Sequence, residues 1–401
     1  MMKIVEVTSK KHSRQFLDLV EEIYKNDSNY VRPLDNMINE IFDPKKNDLF
    51  NNGKAIRFLL LNGQEKVIGR IAAFINLKKA FNNDQPTGGV GFFECINDQK
   101  AANLLFDAAK EWLSENEMKA MDGPINFGEN DNFWGLLVKG FTQPAFGMQY
   151  NPTYYQQLFT TYGFNVYYEQ ITNHLDLKKP FPERFWKIAE RVMQKPELSF
   201  RHIEIRKADK YAKDFVEIYN EAWQFHDGFI PMDVEHLKEV FNKAKPFMME
   251  ELIWFAYYND EPIGFIVMFL DVNQIIKKLH GKMNLFSKMR FLYYKYRKEM
   301  TRIRVTVLGI KPKYQRMGIE SCLFYQYRDV VARNPHITEM ELSWVGDFNP
   351  KMRKLEEAMG SVMGKKHITY RYLFTGNSDN QRVTEIPMDT KNQKNNNRET
   401  E

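Results

Sequence analysis

The sequence predicts an α/β (α+β) protein of two tandem domains, each a mixed, mostly antiparallel sheet flanked by helices. Three observations carry that expectation. The order strand, helix, hairpin, strand, helix, strand, helix, strand can be traced twice along the 401 residues. Apolar runs switch repeatedly between a period of two and a helical period. From Arg302 to Arg333 an alternating strand breaks at Lys311-Pro312-Lys313-Tyr314, then reopens through Gln315-Arg316-Met317-Gly318 as an amphipathic helix.

The first pass of that order begins with a strand over 3–7. Ser9 is placed to cap a helix whose apolar side holds Phe16, Leu17, Val20 and Ile23. Runs 55–61 and 67–75 read as a hairpin turning at Asn62-Gly63, and 89–96 as a third strand. A helix over 98–113 follows, and Asn151-Pro152 to Gly163 reads as another. The second pass opens with a short strand over 202–207 and a helix over 210–223. Strands 252–258 and 263–270 flank Asn259-Asp260-Glu261-Pro262, which is turn chemistry. After an insertion over 272–300 come the 302–310 strand, a helix from Ile319, a strand over 340–345, a helix opened by Asn349-Pro350, and a closing strand over 368–374. The expected domains are 1–195 and 196–375. Residues 376–401, almost without apolar side chains, should form a disordered tail.

At the 302–333 segment a strand hands over to a helix N-terminus. The first amides of a helix lack intrahelical acceptors, the macrodipole adds partial positive charge, and a glycine admits an anion to the backbone. This order of strand, Pro, Tyr, Gln-Arg-Met-Gly-Ile and helix resembles motif A of the GCN5-related N-acetyltransferase (GNAT) superfamily. Asn349, Met352, Leu355, Met359 and Gly360 resemble its motif B. The resemblance extends over about 370 residues as architecture, and its specific motifs lie within 302–374. The first pass lacks motif A, which makes it a degenerate copy; the tandem form is similar to N-myristoyltransferases and Fem-type aminoacyl transferases, without either signature.

The resemblance implies an acetyl-CoA or other acyl-CoA cosubstrate and transfer of its acyl group to a small-molecule or peptide amine by direct attack. Gln315, Arg316, Met317, Gly318 and Ile319 would hold the pyrophosphate, with Ser321 and Asn349 nearby, and Leu308 and Ile310 would face the pantetheine arm. Two positions depart from the family pattern. Glu320 stands where Gly or Ala is usual, pointing either to solvent or at the phosphates. Glu356 stands where many members place a tyrosine that protonates the leaving thiolate. These departures favour the rival class, a non-catalytic CoA- or ligand-binding protein on the same scaffold. For catalysis the candidates are Glu341, on a strand bordering the expected splay, His226 in an aromatic-flanked His-Asp-Gly loop, and Tyr370 as a substitute acid. His226 also reads as a turn residue capping local backbone, and the Glu341 side of its strand also as solvent-facing.

Bulk properties narrow the rest. A net charge of +5 on 57 basic and 52 acidic residues does not call for nucleic acid, and 43% apolar content supplies two cores. Cys95 and Cys322 are expected as buried thiols, and no Cys/His spacing calls for a metal. No apolar run approaches a membrane span, so the cytoplasm is the default. No motif specifies an oligomeric state. The insertion carries six Lys and two Arg against one Glu, interleaved with Leu, Phe and Tyr. It reads as a cover over the domain junction, a contact for the adenosine 3'-phosphate, a lid over an acyl chain, or peripheral membrane contact.

Overall fold

The computed structural model describes residues 1–82, 85–130, 132–224, 231–245 and 248–374, except the side chains of residues 236 and 243. His226 and the expected tail therefore lie outside the described residues. The first half contains β1 (Lys3–Glu6), α1 (Lys10–Ile23), α2 (Asp35–Ile41), β2 (Gly53–Leu61), β3 (Val67–Asn76), α3 (Leu77–Ala80), β4 (Thr87–Cys95) and α4 (Gln99–Glu115). It continues with β5 (Ala120–Gly123), β6 (Leu136–Lys139), α5 (Tyr155–Tyr162) and β7 (Asn165–Asp176), and α6 (Glu183–Met193) links the halves. The second half holds β8 (Leu198–His202), α7 (Ala208–Trp223), α8 (Val234–Ala244), β9 (Ile253–Tyr258), β10 (Glu261–Leu270), α9 (Asn273–Ile276) and α10 (Leu285–Tyr296). It ends with β11 (Arg302–Ile310), α11 (Ile319–Tyr325), α12 (Tyr327–Arg333), β12 (Glu339–Glu341), β13 (Val345–Gly346), α13 (Pro350–Ala358) and β14 (Val362–Leu373).

Local chemistry accounts for the ends of these elements. Ser9 accepts from the His12 amide at 3.1 Å and caps α1, and Asp98 accepts from Lys100 and Ala101 at 2.8 and 3.3 Å to cap α4. Asn349 does the same for α13 through Met352, with Pro350 at the first helical position. Gly163 closes α5 at φ +112°, a conformation that a side chain disfavours.

The strands form one sheet in the order β1-β2-β3-β4-β5-β14-β7-β12-β11-β10-β9-β8. Its centre departs from the expected sequential domains. The last strand, β14, lies between β5 and β7, antiparallel to both, and β7 borders β12 of the second half. The boundary at 195/196 therefore does not divide the sheet. Each core also borrows from the other half. Ile368 and Tyr370 of β14 pack with Leu105, Phe106 and Phe159, whereas Leu175 of β7 packs with Ile303, Leu323 and Met340. Each fully buried Leu, Ile or Phe contributes about 1.5–3 kcal/mol, so this exchange holds the halves together through their interiors.

Three expected strands change. The strand placed at 202–207 lies at 198–202, because Ile205 donates its amide to the Glu250 side chain and the chain curls into a 3-10 turn at Ile205–Lys207. The 340–345 strand splits, since β11 departs after Glu341 and only β7 remains to pair with β13. The closing strand expected over 368–374 begins earlier, as the long β14 just described. Cys95 and Cys322 are both buried free thiols.

Candidate active site

A wedge opens where β11 and β12 part. They pair in parallel through Arg302 with Glu339, Ile303 with Met340 and Arg304 with Glu341. Beyond this β11 runs on beside β10 as far as Ile310, while the chain after Glu341 stays with β7. Among the described residues the β11 edge from Val305 to Ile310 thus faces no strand, and its amides and carbonyls can pair with an extended, amide-bearing ligand. Leu308 is half-buried on this edge and Ile310 is buried.

At the end of that edge lies the turn. Gly318 has φ +82° and Arg316 φ +69°, which swing the chain sharply into α11. The amides of Met317, Gly318 and Ile319 find no acceptor among the described residues, as expected for a helix start with anion-binding capacity. The Glu320 carboxyl beside the turn is half-buried, and burial pushes its pKa up. The flank of the turn is closed by α6: a side chain added at Gly318 would meet Ile188 and Val192 at 3.1 and 3.2 Å. The amides of Met317, Gly318 and Ile319 fit a diphosphate. Gln315 and Arg316 are exposed, Ser321 is buried within α11, and the Gln315 side-chain amide returns to the Ile310 carbonyl at 3.3 Å.

The floor of the wedge is a buried charge cluster. Lys365 of β14 bonds to Glu341, both 3% exposed, and Arg302 stands 3.8 Å from the same carboxylate. Burial would raise the Glu341 pKa, but the charges of Lys365 and Arg302 hold it below the usual carboxylate range. Held in this way, Glu341 is a structural anchor and a poor base, rather than the solvent-facing carboxylate of the alternative reading. Arg302 also approaches Asp271 at 3.4 Å and Glu339 at 3.3 Å, and donates to the Gln143 carbonyl at 3.1 Å. Beside the cluster His367 is buried and neutral, its pKa pushed down to about 4 by desolvation, with Nε2 donating to the Gln149 carbonyl at 3.0 Å.

Tyr370 goes elsewhere. Its ring lies in the first core, 6.0 Å from Phe159, and burial pushes its hydroxyl up to about 12. It pairs with Val166, whereas β12 meets β7 at residues 174–176, about 26 Å further along the strand at ~3.3 Å per residue. That distance removes it as the acid at the wedge.

Glu356 is tied to the wedge through Asn173. It is 1% exposed, and the Asn173 amide donates to its Oε2 at 2.7 Å. Asn173 is the residue whose carbonyl accepts from Leu342, directly after the point where β11 and β12 separate. Burial raises the Glu356 carboxyl to about 8, with the Asn173 bond and the Arg353 charge opposing the shift. A carboxyl in that state is largely protonated at neutral pH and can donate. Asn173, Lys365 and Arg302 were not singled out from the sequence. Their only signal was polar residues on strands otherwise rich in apolar side chains.

No family model matches the chain. A tandem GNAT protein from the clavulanic acid biosynthesis pathway superposes with TM-score 0.55 at 11% identity, covering 94% of this chain and all of that one. A GCN5-related glucosamine N-acetyltransferase region of a fungal β-N-acetylglucosaminidase gives TM-score 0.53 at 11% identity, over 93% of this chain and 38% of that one. The chain thus has the tandem GNAT fold. Among curated sequences, the bacterial ceramide synthase of Caulobacter vibrioides (strain NA1000 / CB15N) is 27% identical over 384 residues, 92% of this chain and 96% of that protein. Protein YghO of Escherichia coli (strain K12) is 25% identical over 370 residues, 90% and 93% of the two chains.

Proposed function

We propose that this chain, which carries the tandem GNAT fold, transfers a long acyl group from acyl-CoA to the amine of a long-chain amino alcohol, forming an amide. The carrying observation is the wedge after Arg304 and Glu341, ending at the unpaired amides of Met317–Ile319. The name of the Caulobacter relative supports the acceptor class, since a ceramide is the amide of a fatty acid and such an amino alcohol.

In this reading the free β11 edge aligns the pantetheine amides and the turn holds the diphosphate. The neutral amine attacks the thioester carbonyl, the carbon–sulfur bond breaks, the nitrogen loses a proton to solvent, and Glu356 delivers a proton to the departing thiolate. Positioning supplies most of the rate, because an amine needs no protein nucleophile to open a thioester. Glu341, paired with Lys365, sets the wedge floor.

The test is release of free thiol from acyl-CoAs of two to eighteen carbons over a panel of amines, with the amide identified by mass spectrometry. A long acyl donor with a long-chain amino alcohol should give the highest kcat/KM. Calorimetric binding of CoA without thiol release from any pair would instead establish the non-catalytic reading.

Glu320 offers a separate check on the diphosphate site. Glu320→Ala removes a carboxylate from the helix N-terminus. Charge effects at such a site run about 0.3–1 kcal/mol, so CoA should bind roughly two- to fivefold tighter by calorimetry. Unchanged affinity would place the diphosphate somewhere other than this turn.

A further inference from the structure

The 272–300 insertion splits into an anchored part and a presented part. Its anchor is α9 with the turn that follows. Ile276 packs with Val31 and Leu34 of the first half, the Asn273 amide donates to the Pro144 carbonyl at 3.1 Å, and Gly281 accepts from the Asp35 amide at 2.8 Å. That part covers the junction between the halves, as one reading of the sequence expected.

Helix α10 does otherwise. Its inward side is narrow: Ser287 and Phe291 are buried, and Tyr294 packs partly on Ile275, Leu279 and Met300. On the outward side Leu285, Phe286, Met289, Leu292, Tyr293 and Tyr296 are 55–87% exposed. They are six of the fourteen large apolar side chains left exposed among the described residues, gathered on one helix of twelve residues. Scattered exposed apolar residues need no explanation, but a contiguous face of them does.

The wheel shows how the face is framed. At about 100° per residue, Leu285, Met289, Leu292 and Tyr296 fall within about 60° of one another, and Phe286 and Tyr293 widen the same stripe. Lys288 and Lys295 border it on one side and Arg290 and Arg297 on the other. No acidic residue lies between Leu285 and Tyr296. Long basic side chains at both margins of an apolar stripe match a phospholipid interface, where the stripe enters the acyl boundary while the cations stay with the head groups. A second protein copy would leave those flanking cations opposite their own kind. At twelve residues α10 is also far too short to cross a bilayer, and no helix among the described residues is long and apolar enough to do so.

We propose that α10 docks the protein on an anionic phospholipid surface, with its apolar stripe inserted and its flanking Lys and Arg on the head groups. This rests on the exposed stripe and its charges alone, independent of the acyl-transfer reading. It also fits an enzyme whose acceptor and product are amphiphiles residing in such a surface.

The experiment is co-sedimentation of the full chain, without any acyl donor, with vesicles of phosphatidylcholine alone or mixed with phosphatidylglycerol. Mixed vesicles should carry the protein down at low salt and release most of it when salt shortens the Debye length to about 3 Å. Leu292→Glu with Tyr296→Glu, both at exposed positions, should weaken binding at least tenfold with an unchanged circular dichroism spectrum. Lys288→Glu with Arg297→Glu should weaken it on mixed vesicles and leave little salt dependence. The proposal is overturned if the native chain ignores mixed vesicles, or if both double variants bind as it does. It is equally overturned if Leu292→Glu with Tyr296→Glu only converts a dimer to a monomer in gel filtration while vesicle binding persists. Thiol release on short, soluble substrates, measured in parallel, reports separately on the acyl-transfer reading.

Discussion

Replacing Glu356 by Gln should lower amide formation about 100-fold while making the protein more stable in alkali. General acid catalysis contributes typically 10²–10⁴-fold, and direct amine attack on a thioester leans on it least, so the lower figure applies. Gln keeps the volume and the oxygen that accepts from Asn173 at 2.7 Å, and removes only the proton. The stability effect follows from the same burial. In the unfolded chain the carboxyl ionises near its ordinary 4.5, and in the fold near 8. Below pH 4.5 both states hold the proton and nothing is lost; as pH rises toward 8 the unfolded state ionises freely while the folded one resists. Stability therefore drains away across that window, to a ceiling of about 5 kcal/mol. Glu356→Gln removes the drain. Its melting temperature should match the parent at pH 4 and exceed it at pH 8, and the alkaline fall of kcat near pH 8 should vanish with the activity. A variant with full activity and an unaltered pH profile would remove Glu356 from the reaction.

The second large effect is structural. Lys365→Met leaves the Glu341 carboxylate buried with Arg302 at 3.8 Å as its nearest remaining cation. Breaking a buried ion pair by removing one partner costs about 3–5 kcal/mol, a large share of the 5–15 kcal/mol that holds a typical protein folded. Lys365→Met together with Glu341→Met should recover most of the loss, because Arg302 keeps Asp271 at 3.4 Å and Glu339 at 3.3 Å. Urea titration of the native chain, the single and the double variant measures this directly. A single variant within 1 kcal/mol of the parent would show that the pair does not hold the two halves together. The strands of the cluster explain the reach of the effect: Lys365 sits on β14 inside the first sheet half, and Glu341 on β12 in the second.

Much of the site was legible in the chain because its signals are local. The helix starting at Ile319 and the Asn349-Pro350 cap are matters of neighbouring residues, and both stand where expected. Glu356 was legible as a departure from a pattern, but not as a protonated carboxyl. Its state depends on Asn173, 183 residues away in the chain. Glu341 was read from alternation as the base beside the splay. Alternation says which residues share a face and cannot say that Lys365 will neutralise one of them. Tyr370 failed for a related reason: a strand's composition does not choose its neighbours, and β14 chose β5 and β7.

By itself the sequence determined most of the strands and helices it named, the two passes of one strand-and-helix order, the turn that leaves amides unpaired, and the mixed basic and aromatic character of α10. These follow from periodicity, turn chemistry and caps, which act over a few residues. Only the tertiary structure decided that the last strand crosses into the first half, that Glu341 is bound to Lys365, that Glu356 meets Asn173, and that the apolar stripe of α10 faces outward. Strand pairing, charge pairing and burial are contacts between residues distant in the chain, and their free energies exist only once the fold has brought the partners together.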